Sequence, residues 1–164
     1  MDITIRRRSN KYFIDNKLEI TQFKAFDIIN KALALIESLS SIYTTKFKYL
    51  DEYISLELVK ENLKKYIDTT DQVFIVSDLE CDFFISFENV NYYTIGYKEK
   101  EKDNSYIIAH EYQELDNAIK KANLLLNEKK RDIVISKCSL DDEFYSEDIL
   151  YANRNTQYRL VTKK

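Results

Sequence analysis

The sequence predicts an α+β protein in which antiparallel sheets carry two main amphipathic helices and a shorter third packed on them. Three observations predict it. The stretches TQFKAFDIINKALALIESL and ELDNAIKKANLLLNEKK space their apolar residues by three and four, the helical period. Most other apolar residues fall in short runs rich in β-branched and aromatic side chains. Short polar turns separate those runs, as antiparallel neighbours require.

The segment ITIRRRSNKYFIDNKLEI reads as two short strands joined at Ser9-Asn10, with a second turn at Asp15-Asn16. The chain holds one Gly and no Pro, so its turns must be made by residues such as Asn and Asp, which tolerate left-handed backbone. Further turns are expected at Asp103-Asn104 and Asn153-Arg154-Asn155. A helix begins after Thr21, its expected cap, and turns Phe23, Phe26, Ile29, Leu33 and Ile36 inward with Ala32, Leu35 and Leu39. IYTTKFKYL alternates, Tyr43, Thr45, Phe47 and Tyr49 against Thr44, Lys46 and Lys48, which marks a half-buried strand. Leu56, Val59, Leu63 and Tyr66 then form one helical stripe that ends near Asp68, the shorter helix. TTDQ, residues 69–72, breaks the pattern. It is the expected boundary if the single compact domain, 1–164, divides into α+β subdomains 1–68 and 73–164 that share a core.

From Val73 to Tyr112 the expectation is an antiparallel meander of VFIVSD, CDFFISF, NYYTIGYKEK and SYIIAHEY. The next helix directs Leu115, Ala118, Ile119, Ala122, Leu125 and Leu126 inward and ends at Lys129, Lys130 and Arg131, where positive charge is favoured. DIVISKC is a strand, and ILYAN with TQYRLVTK reads as a closing hairpin.

At 164 residues the chain can bury roughly 70% of its unfolded surface, enough to fold without a disulfide or metal. Thirteen Tyr and nine Phe argue against disorder. No apolar run is long enough to span a membrane, and the first twenty residues carry charges where a signal peptide needs its apolar segment, so a cytoplasmic location and no membrane association are expected. In that reducing compartment Cys81 and Cys138 are expected as free thiols. Phe, Tyr, Ile, Asn and Lys outweigh Gly, Ala, Arg and Pro, which suggests an AT-rich genome, as in many low-GC bacteria and their phages. Charge is uneven: residues 1–50, 51–112 and 113–164 carry net +4, −8 and +1.

Composition removes several chemistries. Nucleophilic catalysis needs a His beside the nucleophile, and the only one, His110, is expected to pack at a strand end on the face of Tyr106, Ile108 and Tyr112. One His and two distant Cys do not give zinc-ligand spacing, and a lone Gly96 cannot build a phosphate-cradling loop. No catalytic residue, metal ligand or cofactor is therefore assigned. An alternative keeps an enzyme in view: were SDLECDFF one continuous strand, Asp78, Glu80 and Asp82 would share a face, as a divalent-metal nuclease needs. A second alternative is a nucleic-acid module built on Arg6, Arg7 and Arg8 beside Tyr12 and Phe13; the acidic balance, net −3, disfavours it.

SLDDEFYSEDILY carries the preferred reading. Asp141, Asp142, Glu143, Glu147 and Asp148 surround Phe144 and Tyr145, with no glycine at the bend a calcium loop requires. Acids around aromatics suit docking on a basic partner; the bland alternative buries the aromatics and leaves the acids solvated. The expected function is a non-enzymatic binding protein whose partner is a host or cognate protein with a basic surface. In its narrow form it is a phage- or mobile-element-encoded inhibitor of a host defence, in the manner of anti-CRISPR proteins, or of a nucleic-acid-processing protein. Homo-oligomerisation stays open.

Overall fold

Contacts divide the chain between Asn89 and Val90 into two units, each with its own sheet and its own buried cluster. The computed structural model describes residues 3–15, 17–38, 44–68, 72–79, 82–100, 102–129 and 131–164, with backbone alone at 3, 44–45, 67–68, 72–79 and 82–85. Helices and antiparallel-rich sheets make the class α+β, as expected.

The first unit is a seven-stranded sheet with two helices. Its strands are β1 (Ile3–Arg8), β2 (Lys11–Ile14), β3 (Leu18–Ile20), β4 (Thr44–Tyr49), β5 (Glu52–Ile54), β6 (Gln72–Leu79) and β7 (Asp82–Asn89). They lie in the order β3-β2-β1-β6-β7-β4-β5. Every pair is antiparallel except β4 with β7, a parallel pair that the hairpin pattern did not foretell. Ser9 and Asn10 both take left-handed backbone, φ 50° and 65°, so a two-residue turn sets Arg8 opposite Lys11. The β4–β5 turn, Leu50-Asp51, places its left-handed position on Leu50 rather than on Asp51, at φ 53°.

Helices α1 (Gln22–Ser38) and α2 (Leu56–Asp68) start on hydroxyl caps: Lys24 N donates to Thr21 Oγ1 at 3.1 Å and Leu58 N to Ser55 Oγ at 3.2 Å. Ala25, Ile29, Leu33 and Ile36 of α1 join Val59, Leu63 and Tyr66 of α2 on Ile5, Tyr12, Phe47 and Phe87 of the sheet. Phe23 is a correction: it is 82% exposed, and Leu35 is exposed too. Ala25, about 200° further round the helix, holds the buried position instead. Leu39 and Tyr43 lie outside the described residues.

TTDQ does not separate two sheets. Residues 69–71 lie outside the described set, but β6, which starts at Gln72, returns to pair with β1, and β7 pairs with β4. Nor is the stretch from Val73 to Tyr112 one meander, because its first hairpin, β6–β7, belongs to this sheet and its second to the other.

The second unit orders its strands β12-β11-β10-β8-β9, all antiparallel. These are β8 (Asn91–Tyr97), β9 (Ile107–Tyr112), β10 (Ile133–Ser139), β11 (Ser146–Ala152) and β12 (Val161–Thr162). Helix α3 (Leu115–Glu128) lays Ala118, Ala122 and Leu126 on Ile95, Ile133, Ile135 and Ala152. The closing hairpin forms as β11 with β12. Asn153 and Thr156 cap each other at the turn between them, and Gln157 and Tyr158 reverse the chain at φ 55° and 57°.

Two bulges set which side chains face α3. In β9 His110 lies opposite Ile95 but Ile108 opposite Gly96, leaving Ala109 as the extra residue. His110 and Tyr112 therefore share the helix face while Ile108 points to the other, which corrects the simple alternation. In β11 Leu150 lies opposite Ile135 and Asp148 opposite Ser136, so the extra residue Ile149 turns Asp148 onto the face away from α3.

Gly96 is explained by close approach. A Cβ there would meet Tyr106 Cβ at 3.1 Å and Val134 Cγ1 at 3.3 Å. The Tyr106 ring is also held by Lys98 Nζ, 5.0 Å from its centroid. Gly96→Val should displace Tyr106 and cost about 1 to 3 kcal/mol, read as a lower urea midpoint with unchanged slope; an unchanged midpoint would show that Tyr106 does not need the gap. Among the described residues, no helix is long and apolar enough to cross a membrane.

Candidate interaction site on the acidic hairpin

The SLDDEFYSEDILY stretch forms the tip of the β10–β11 hairpin and runs on into β11. Strand pairing ends at Cys138 opposite Ser146, and Leu140 to Tyr145 make the bend. Four hydrogen bonds fix its backbone in the absence of glycine. Leu140 N donates to Val90 O at 2.8 Å, and Asp141 N to Ser139 Oγ at 3.1 Å. Asp142 closes the turn, accepting from Phe144 N on Oδ1 and from Tyr145 N on its carbonyl, both at 3.0 Å.

This turn holds Phe144 outward. Its ring is 88% exposed, so the alternative in which it is tucked into the core is set aside. Tyr145 and Leu140 are also exposed, beside the exposed acids Asp141, Asp142, Glu143 and Glu147. The Tyr145 hydroxyl donates to Glu147 Oε2 at 2.8 Å, and that bond, more than desolvation, raises its pKa. The tip is thus an apolar edge inside a rim of negative charge, with its aromatic side chains already placed.

Asp148 differs from its neighbours. Its Oδ1 accepts from the buried Ser136 hydroxyl at 2.7 Å and its Oδ2 from Lys163 Nζ at 3.2 Å. The Ser136 bond leads in holding its pKa below the ordinary carboxylate value, with Lys163 adding to it and partial burial opposing. A depressed carboxylate gives stability that is complete above its unfolded pKa and is lost as pH falls through the folded one. Urea midpoints should therefore drop below about pH 4, and Asp148→Asn should flatten that part of the profile. An identical acid limb in the variant would show that Asp148 carries none of it. Screening at this half-open site keeps the effect modest.

The other sequence-derived candidates separate. Along β1, Arg6 is buried, Arg7 half-buried and Arg8 exposed, and alternation sends Arg7 to the face opposite the other two. They form no continuous basic face. Arg7 instead lines an open groove of about 770 Å³ with Lys11, Tyr12 and Glu19. Asp78 lies on β6 and Asp82 on β7, neighbouring strands of a hairpin rather than one strand, with Leu79 opposite Asp82. Their side chains, and Glu80 and Cys81 entirely, lie outside the described set. Among the described residues no group of three or more His, Cys, Asp and Glu is arranged to hold a metal ion. His110 is half-buried, and desolvation followed by the charge of Lys121 lowers its pKa. Cys138 is a half-buried thiol with Thr94 Oγ1 at 4.0 Å.

Sequence reasoning passed over one exposed apolar region, Ile107 and Ile108 on β9. Its only signal was position at the end of a predicted hairpin, which says nothing about whether a further strand covers it. Comparison of the chain with protein-family models, curated proteins and solved structures finds no match in any of the three.

Proposed function

We propose that this chain is a non-enzymatic binding protein that acts by protein–protein contact through the β10–β11 tip, its partner a protein with a basic surface. The observation that carries the reading is Phe144, a large apolar ring held outward on a hydrogen-bonded turn and ringed by carboxylates. An exposed aromatic on a preorganised backbone loses little conformational entropy on docking, and the acids supply steering toward positive charge. A basic groove that normally receives nucleic acid is the surface such a tip complements. The narrow form of the proposal, a cytoplasmic inhibitor encoded by a phage or mobile element of an AT-rich host, draws on amino-acid composition, which speaks of the genome rather than the site.

The test compares capture from a low-GC bacterial lysate, with and without nuclease treatment, by the natural chain and by a variant with Asp141, Glu143 and Glu147 all changed to Lys. A protein retained by the first and lost by the second supports the proposal. Equal capture by both, or capture that vanishes with nuclease, overturns it.

A further inference from the structure

Among the described residues the four sheet edges are unequal. Three are β3, β5 and β12, strands of two or three residues, too short to template a partner. The fourth is β9, six residues long, with neither Lys nor Pro in it. Its outer side borders no strand among the described residues, which leaves a row of backbone donors and acceptors at the margin. Apolar side chains flank that margin on both faces. Ile108, opposite Gly96, is 69% exposed, and Ile107, opposite Tyr97, is 46% exposed.

We infer that β9 is a self-pairing edge: two copies of this chain join β9 to β9, antiparallel, about a two-fold axis between Ala109 and His110. The bulge selects the register. With Ile107, His110 and Tyr112 on the helix face and Ile108 and Glu111 on the other, this axis sets Ile107 against Tyr112 and Ile108 against Glu111, each pair on one face. An axis on Ala109 would oppose Ile107 to Glu111, and one on His110 would oppose Ile108 to Tyr112, residues that point to different faces. A further shift shortens the overlap.

The strand is its own complement. Each exposed isoleucine gains a neighbour, the contact is isologous and closes at two copies, and both five-stranded sheets merge into one. Glu111 is the sole acidic side chain in the strand, and the two copies of it fall about 10 Å apart along the pairing, near the screening length at physiological salt. The inference rests on the sheet edge alone and is independent of the hairpin tip.

Analytical ultracentrifugation of the full chain over a wide concentration range tests it. The natural chain should shift from monomer to dimer as concentration rises, with slowed amide exchange from Ile107 to Tyr112 in the dimer. Ile108→Lys and, separately, Ile107→Glu should stay monomeric with unchanged circular dichroism, since both sites are open to solvent, while Phe144→Ala should dimerise normally. A chain that is monomeric at every concentration, or a dimer that survives both folded variants, overturns the inference. Should either variant misfold, the concentration dependence of β9 exchange in the natural chain decides: protection that does not change with association places the contact elsewhere.

Discussion

Phe87→Ala is expected to lower the unfolding free energy by about 3 to 5 kcal/mol, while Phe144→Ala leaves it within about 0.5 kcal/mol. Phe87 is 1% exposed and lies on β7 between β6 and β4. Its ring packs on Tyr66 at 5.3 Å and Tyr49 at 6.2 Å, and those two tyrosines stack on each other at 4.1 Å. One aromatic cluster therefore ties α2, through Tyr66, to both members of the parallel pair. The Phe87 carbonyl also accepts from Leu50 N at 2.9 Å, holding the residue that the β4–β5 turn forces into left-handed backbone. Truncating the ring opens a cavity that neighbouring strands, fixed by their ladders, cannot close. Phe144 has no such cavity to leave. Urea melts of the two variants settle the comparison: similar loss of midpoint in both would show that Phe144 is packed, and the tip would lose its anchor.

What could be read from the sequence follows from which interactions are local. The helices were legible because Ile29, Leu33 and Ile36, or Ala118, Ala122 and Leu126, need only one face of one segment to be buried. The Ser9-Asn10 turn was legible because a chain nearly free of glycine has few residues that accept positive φ. Pairing across distance was not. Nothing in TTKFKY says that it will lie parallel to DFFISFEN, nor that VFIVSD will return to β1 rather than begin a second domain. Bulges escape for a related reason. The extra residues Ala109 and Ile149 exist only relative to a partner strand, yet they decide that His110 faces α3 and that Asp148 reaches Ser136. The acidic tip was legible as a composition, but whether Phe144 is buried depended on a turn closed by Asp142.

Changing Asp141, Glu143 and Glu147 to Lys, with Asp142 kept because its Oδ1 closes the turn under Phe144, should slow association with a basic partner by ten-fold or more at low salt, on the order of what steering supplies, and reverse the dependence on ionic strength. These side chains stand exposed at the rim, where charge acts over distance and little desolvation follows contact. Phe144→Ala should act differently. Loss of a buried anchor of about 2 kcal/mol raises the dissociation rate about 30-fold and leaves association nearly unchanged, because the ring contributes only once the surfaces have met. Asp148→Asn supplies the internal control, since its carboxylate is held by Ser136 and Lys163 and should affect acid stability rather than binding. The division between the two rates is the diagnostic. If the charge reversals alter only dissociation, or Phe144→Ala alters only association, the tip is not docking as an aromatic anchor within an acidic rim. If neither rate changes while the captured protein still binds, the contact lies on another surface and the proposed site is wrong.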